Sequence, residues 1–194
     1  MRLFAERGFR STGVGDVEAA AGLEPRRGAL YKHFPSKQAL LEAAVRRELA
    51  NVAIGAAQID ALNLTTARRA DRSLMEPVVT GLGRWFLGEM DRLEDLTRMV
   101  EHDGRRMGLL TGEVKTSIVD LSYRTAARLI ADVAPEADDP EAIAVVLLGA
   151  LVALRRTAWT FGSPPLDLDD DRVLAVWTQV ALATLGALTA TTAG

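Results

Sequence analysis

Arg26, Arg27, Tyr31, Lys32, His33 and Lys37 are the residues whose types and spacing suit contact with a polyanion. No acidic residue occurs between Glu24 and Glu42, so this stretch can approach phosphates without like-charge repulsion, and Tyr31 and His33 add hydrogen-bond donors to it. A second cluster, Glu101-His102-Asp103, has the residue types of a metal site or a proton relay. Neighbouring helical positions point about 100° apart, so these three side chains do not converge readily on one ion or one proton. Glycine-rich phosphate fingerprints, a nucleophile elbow and histidine pairs at i and i+4 are missing. Cysteine is absent, which removes disulfides, thiolate metal sites and a cysteine nucleophile together. The residues point to binding rather than catalysis, with no cofactor and no metal.

Charge is distributed to match. The net charge of −3 hides an asymmetry: residues 1–50 hold nine Lys/Arg against six Asp/Glu, and the rest of the chain holds 14 against 20. The basic end is the candidate DNA face. A hydrophobic content of 48% with 25% charged residues is that of a soluble globular protein. The opening residues lack a signal-peptide pattern, and a reducing cytoplasm is the expected compartment. The longest apolar stretch, Ala142 to Leu154, has thirteen residues, against the roughly 20 that span a bilayer. It reads as a buried helix, not a membrane anchor.

The elements that must position these residues are helical. Apolar residues recur at three and four throughout, and short alternating strand patterns are missing, so the fold is expected to be all-α. A first helix, Arg2 to Arg7, stops at Gly8. Thr12 or Gly13 opens a second, with Val14, Val17 and Ala21 on one face, which Gly22 terminates. After the turn Leu23-Glu24-Pro25 a third helix is predicted from Arg26 to Phe34, with Pro25 suited to its first turn. Leu30 and Phe34 face inward there, turning Arg27, Tyr31 and Lys32 outward or to the flanks. Pro35 ends it and Ser36 caps a fourth. A Thr/Arg/Ala-rich connection, Leu62 to Ser73, precedes further helices over Pro77–Met90, Arg92–His102, Gly112–Val133, Pro140–Phe161 and Asp170–Thr189. Two short helices with a Gly-containing turn between them, the second basic, can set one helix in a DNA groove while the other braces it.

The order Leu3-Phe4-Ala5-Glu6-Arg7-Gly8-Phe9, then Ala20-Ala21-Gly22-Leu23, then Gly28-Ala29-Leu30-Tyr31-Lys32-His33-Phe34-Pro35-Ser36-Lys37-Gln38-Ala39-Leu40-Leu41 resembles the TetR (tetracycline repressor) family over the first 50 residues or so. The resemblance implies an N-terminal three-helix helix-turn-helix domain, placed at 1–48, and a C-terminal helical bundle for effector binding and dimerisation, placed at 49–194. It implies that Tyr31 and His33 hold phosphates, that Lys37 reaches the DNA backbone, and that residues near Arg27 meet base edges. An arginine fork there can hold guanine O6 and N7 together, worth roughly 1–3 kcal/mol against a wrong base. Thr12, Arg26 and Lys32 complete the expected DNA-facing set. The sequence departs from the family at Gly13 and Gly15, where a Ser or Thr and an Arg are common, and at Ala29, where Thr is frequent. It also opens inside the first helix, which implies a missing start or a short helix.

In the larger part of the chain, a helix apolar nearly all round should pack inward on its own subunit and outward on another. Val146, Ala150, Leu151 and Leu154 on one helix, with Val173, Trp177 and Val180 on the last, are the expected interface. The resemblance makes it a four-helix seam between two copies. A homodimer would set two reading helices about 34 Å apart, one turn of DNA, on a palindromic operator. Trp85, Phe86, Met90, Met99, His102, Met107, Tyr123 and Trp159 are the expected lining of a pocket for a small-molecule effector that releases the repressor, because large apolar and thioether side chains suit such a cavity. The alternative is a dimeric helical small-molecule-binding protein whose DNA reader is impaired, suggested by Gly13, Gly15 and the truncated first helix.

Overall fold

The structure, a computed structural model, describes residues 1–25, 28–61 and 72–190. Among them every regular element is helical, as expected. The chain divides into two compact units. One is Met1–Ile54 with Leu93–Val119, and the other is Gly55–Arg92 with Asp120–Gly194. The boundary expected between 48 and 49 falls inside a helix that runs Lys37–Asp60.

In the first unit α1 spans Arg2–Ser11. Gly8 does interrupt it, at φ 75° and ψ 161°, but the chain resumes its helical path to Ser11 instead of stopping. α2, Val14–Ala20, has Gly13 as its N-cap. Glycine offers no capping oxygen, and the Asp16 carboxylate supplies the reciprocal half of the motif, accepting from Gly13 N at 2.9 Å. α3, Lys37–Asp60, begins where predicted, because Ser36 Oγ accepts from Ala39 N at 3.0 Å. α5, Glu94–Asp103, packs against α1, and Phe4, Leu41, Val45, Leu96 and Met99 are buried in this unit.

The second unit is a bundle of α4 (Arg72–Arg92), α7 (Leu121–Val133), α8 (Pro140–Phe161) and α9 (Asp170–Ala190). α4 starts earlier than its predicted Pro77, which lies within it. The segment predicted as one helix from Gly112 is a helical path from α6, Leu109–Val114, through a π-helical turn at Lys115–Asp120 into α7. α8 matches its predicted bounds because its ends are written in the sequence: Asp139 Oδ1 accepts from Ala142 N at 2.9 Å, Pro140 occupies the first turn, and Gly162 follows the end. By length and composition α8 could cross a membrane. Its Ala144, Leu148, Leu151 and Leu154 are nonetheless buried, with Leu151 and Leu154 packed on Leu87 of α4 and Leu174 of α9. Each buried leucine of that stripe contributes roughly 1.5–3 kcal/mol.

At the far end of the bundle Arg155 ties three helices together. Its guanidinium meets Asp91 at 2.7 Å and Asp170 at 2.6 Å. The hydrogen bond with Asp170 holds the arginine pKa above its ordinary value, and the same bond holds the Asp170 carboxyl below the usual carboxylate range.

Candidate functional site

The basic segment is built differently from the predicted reading helix. Over its described residues it makes a single 3-10 turn, Leu30–Lys32, where an α-helix from Arg26 to Phe34 was expected. The physical reason is Gly28, whose φ of +67° lies in the left-handed region that an α-helix cannot pass through. Arg26 and Arg27 lie outside the described residues. Leu30 points inward and is buried, while Tyr31, Lys32 and His33 are exposed, Tyr31 by 55%. Three consecutive donors thus face solvent on a turn whose position is fixed from below.

That fixing is the work of polar side chains which sequence reasoning missed or misassigned. Glu18, only 1% exposed, accepts from Leu30 N at 3.2 Å and anchors the turn to α2 across twelve residues. Thr12, expected to face DNA, is fully buried, and its hydroxyl is engaged with Leu3 O at 3.0 Å and Gly8 O at 2.8 Å. Lys37, expected to reach phosphate, turns inward instead. Its amino group donates to the carbonyls of Phe9 at 2.6 Å and Thr12 at 2.9 Å, with Arg10 O at 3.5 Å, and lies 4.4 Å from the centroid of the Phe9 ring. The end of a helix leaves carbonyls unsatisfied and carries partial negative charge, so a cation with three donors is suited to it. Asp103, at the end of α5 and 6% exposed, accepts from Phe9 N at 2.8 Å. Gly8 makes this possible: its backbone turn presents the Phe9 amide, and a Cβ there would sit 3.3 Å from Asp103 Oδ2. In the Glu101-His102-Asp103 cluster the first two side chains are exposed and the third is buried, so the three diverge as expected.

The second unit holds a cavity of about 110 Å³. It lies among Met75, Val79 and Leu82 of α4, Ala126, Leu129, Ile130 and Val133 of α7, Ala144, Leu147 and Leu148 of α8, and Trp177, Ala181 and Leu185 of α9. None of the residues expected to line an effector pocket borders it. Met99 and Met107 are buried in the other unit, and His102 is exposed there. Trp85 is 40% exposed, and Phe86 continues the α4 stripe one turn beyond the cavity, where it packs on the Leu87, Leu151, Leu154 and Leu174 cluster. Met90, Tyr123 and Trp159 are half-buried elsewhere. Large aromatic and thioether side chains fill space, and here the cavity is left by Ala126, Ala144 and Ala181 facing one another's helices.

The expected interface set divides in two. Leu151, 0% exposed, and Leu154, 5%, belong to the subunit core, as do the half-buried Val173 and Trp177 packed against it. Val146 at 72%, Val180 at 50% and Ala150 are exposed, together with Val145 and Val176, which were not in that set. An all-apolar helix gives no sequence signal of which stripe turns inward.

Residues 1–44 match the family described as bacterial regulatory proteins, tetR family. The N-terminal segment is also 48% identical over 44 residues to the HTH-type transcriptional repressor KstR2 of Rhodococcus jostii (strain RHA1), a match that covers 23% of this chain and 21% of that relative. The match thus spans about a fifth of that curated relative's length. Over nearly the whole chain the fold is similar to a crystal structure from Mesorhizobium loti described as that of a TetR-family transcriptional regulator. The two share 21% identity and a TM-score of 0.62, over 97% of this chain and 90% of that one.

Proposed function

We propose, from an N-terminal segment that matches the tetR family of bacterial regulatory proteins, that this chain is a DNA-binding transcription regulator of the cytoplasm, acting as a repressor that a small-molecule effector releases. The observation that carries the reading is the exposed Tyr31-Lys32-His33 turn, held from beneath by Glu18. Arg26 and Arg27, next to that turn in the chain, are proposed as readers of base edges, and Lys32 as a phosphate contact. Thr12 and Lys37 leave the DNA-facing set and brace the turn's neighbours.

The exposed apolar faces of α8 and α9, with Val145, Val146, Val176 and Val180, favour a second copy of this chain as partner. A twofold pair would read a palindromic operator. The cavity of the second unit, not the aromatic set predicted from sequence, is the proposed effector site. An effector that binds better when the two readers are set at another spacing than the DNA requires must weaken DNA binding by the factor with which DNA weakens it.

The test is a mobility shift of the palindromic DNA upstream of the gene, at low and high salt, with sedimentation of the free protein. A dimer that shifts the duplex tightly at low salt and far less at high salt is the expected result. No shift at low salt would leave the second reading, a dimeric small-molecule-binding protein with an impaired reader. That reading is favoured by one observation, the single 3-10 turn where a longer helix was expected.

A further inference from the structure

The cavity among α4, α7, α8 and α9 is bounded almost wholly by hydrocarbon. Leu129, Ile130, Leu147, Leu148 and Leu185 have no polar side-chain atom, and the side-chain heteroatoms of the lining are the Met75 sulfur, a weak acceptor, and Trp177 Nε1, which already donates to Leu147 O at 2.8 Å. The backbone along these walls is helical, so most of its N–H and C=O groups are bonded within their own helices.

Polar side chains of the same helices near the cavity are bonded to protein partners. Thr80 and Thr178 share a hydrogen bond of 3.0 Å, and Thr80 also donates to Glu76 O. Arg128, next to Leu129 in the chain, is held by Asp60 at 2.7 Å and Asp132 at 2.8 Å. Arg84 is held by Asp171 at 2.7 Å. A ligand entering this space meets no charge and no free side-chain donor among the residues that line it, and the Met75 thioether is a weak acceptor at most.

Building on the effector reading above, we propose that the group this cavity recognises is an uncharged hydrocarbon: an aromatic ring or a compact alkyl group, seated without any hydrogen bond to the protein. The size agrees. An enclosed apolar cavity of roughly 150 Å³ lined by Leu, Ile and Phe stays dry and takes benzene or xenon, and this one, partly open to the surface, is about 110 Å³. Selectivity follows from the same walls. A hydroxyl loses its water on entry and gains a weak acceptor at most, and a carboxylate loses far more. The site therefore rejects polar isosteres by desolvation, not by a clash of shape.

The experiment uses the full chain with benzene, phenol and benzoate as probes, followed by methyl carbon–proton spectra. Benzene is expected to shift the methyls of Leu129, Ile130, Leu147 and Leu185 saturably while leaving those of Leu41 and Val45 in the other unit unmoved. Phenol should bind about tenfold more weakly, roughly 1.4 kcal/mol, and benzoate should produce no shift at those methyls. Ala126→Leu, whose added methyls project into the space, should abolish benzene binding while the spectrum stays folded. Failure of benzene to bind, or phenol or benzoate binding as tightly as benzene, overturns the proposal. Adding benzene to the protein–DNA complex separates this from the effector reading: shifted cavity methyls with unchanged DNA affinity would support the ligand class and contradict release by the cavity.

Discussion

The two units are held by different forces. In the first, the exposed turn and the end of α1 are fixed by buried and half-buried polar side chains that bond to backbone: Glu18 to Leu30 N, Lys37 to the carbonyls of Phe9 and Thr12, Thr12 to those of Leu3 and Gly8, Asp103 to Phe9 N. In the second, leucine and alanine pack helix against helix and leave a cavity. Hydrogen bonds fix direction, so under the proposed function they suit a surface that meets a rigid duplex in one register. Apolar packing is non-directional, so it suits the bundle proposed to admit a ligand.

Substitutions that break each kind of contact should separate these roles. The largest loss of stability is expected from Leu151→Ala, about 2–5 kcal/mol in urea unfolding, because it opens a hole in a packed cluster. The DNA affinity of the folded fraction should be unchanged. Glu18→Ala should cost about 1.5–3 kcal/mol, the range for hydrogen bonds to charged groups. It should also weaken DNA binding, because the turn loses its anchor. Equal DNA affinity in this variant would mean that the turn is placed by something other than Glu18.

Val146→Glu tests the outer face of α8. Burying an unpaired carboxylate at an apolar seam should weaken dimerisation about tenfold or more, seen as a lower mass in sedimentation, while the melting of the subunit barely moves because Val146 is 72% exposed within it. Leu151→Glu is no test of the interface, since it would unfold the core.

The smallest effect is expected at Asp170. Its pKa lies below the ordinary 3.8 because of the Arg155 hydrogen bond, so the pair stabilises the fold fully above that ordinary value and progressively less as pH falls through the lowered one. Asp170→Asn should cost no more than about 1 kcal/mol at neutral pH, since the aspartate is partly exposed. The gap to the unaltered protein should close in acid below about pH 4. A gap that widened in acid would contradict the pairing.

Much of this architecture was readable from the sequence because helix ends are local. Asp139-Pro140 and Gly162 bound α8 without reference to any partner, and Ser36 does the same for the start of α3. The start of α2 was readable from the same kind of punctuation, while α1 ran past its expected stop at Gly8 and the turn differed, because Gly28 cuts short a helix that the inward spacing of Leu30 and Phe34 suggested. Less of the site was. Thr12 and Lys37 have the residue types of phosphate contacts, but the direction of a polar side chain depends on which carbonyls the fold brings near it, and the partners of Lys37 lie 25 to 28 residues away. Glu18 gave no signal at all, being an acid in a basic region. The cavity is a matter of what is missing: small alanines on three helices, which no search for large apolar residues would find.

The most direct measurement is the salt dependence of affinity for a palindromic duplex in the unaltered protein, Lys32→Ala and Lys37→Ala. If the exposed turn faces the phosphates, Lys32→Ala lowers the slope of log affinity against log salt by about one unit. Lys37→Ala then weakens binding through its loosened helix end and leaves the slope unchanged. The reverse result, a lowered slope for Lys37→Ala and an unchanged one for Lys32→Ala, would contradict an interface built on Tyr31, Lys32 and His33.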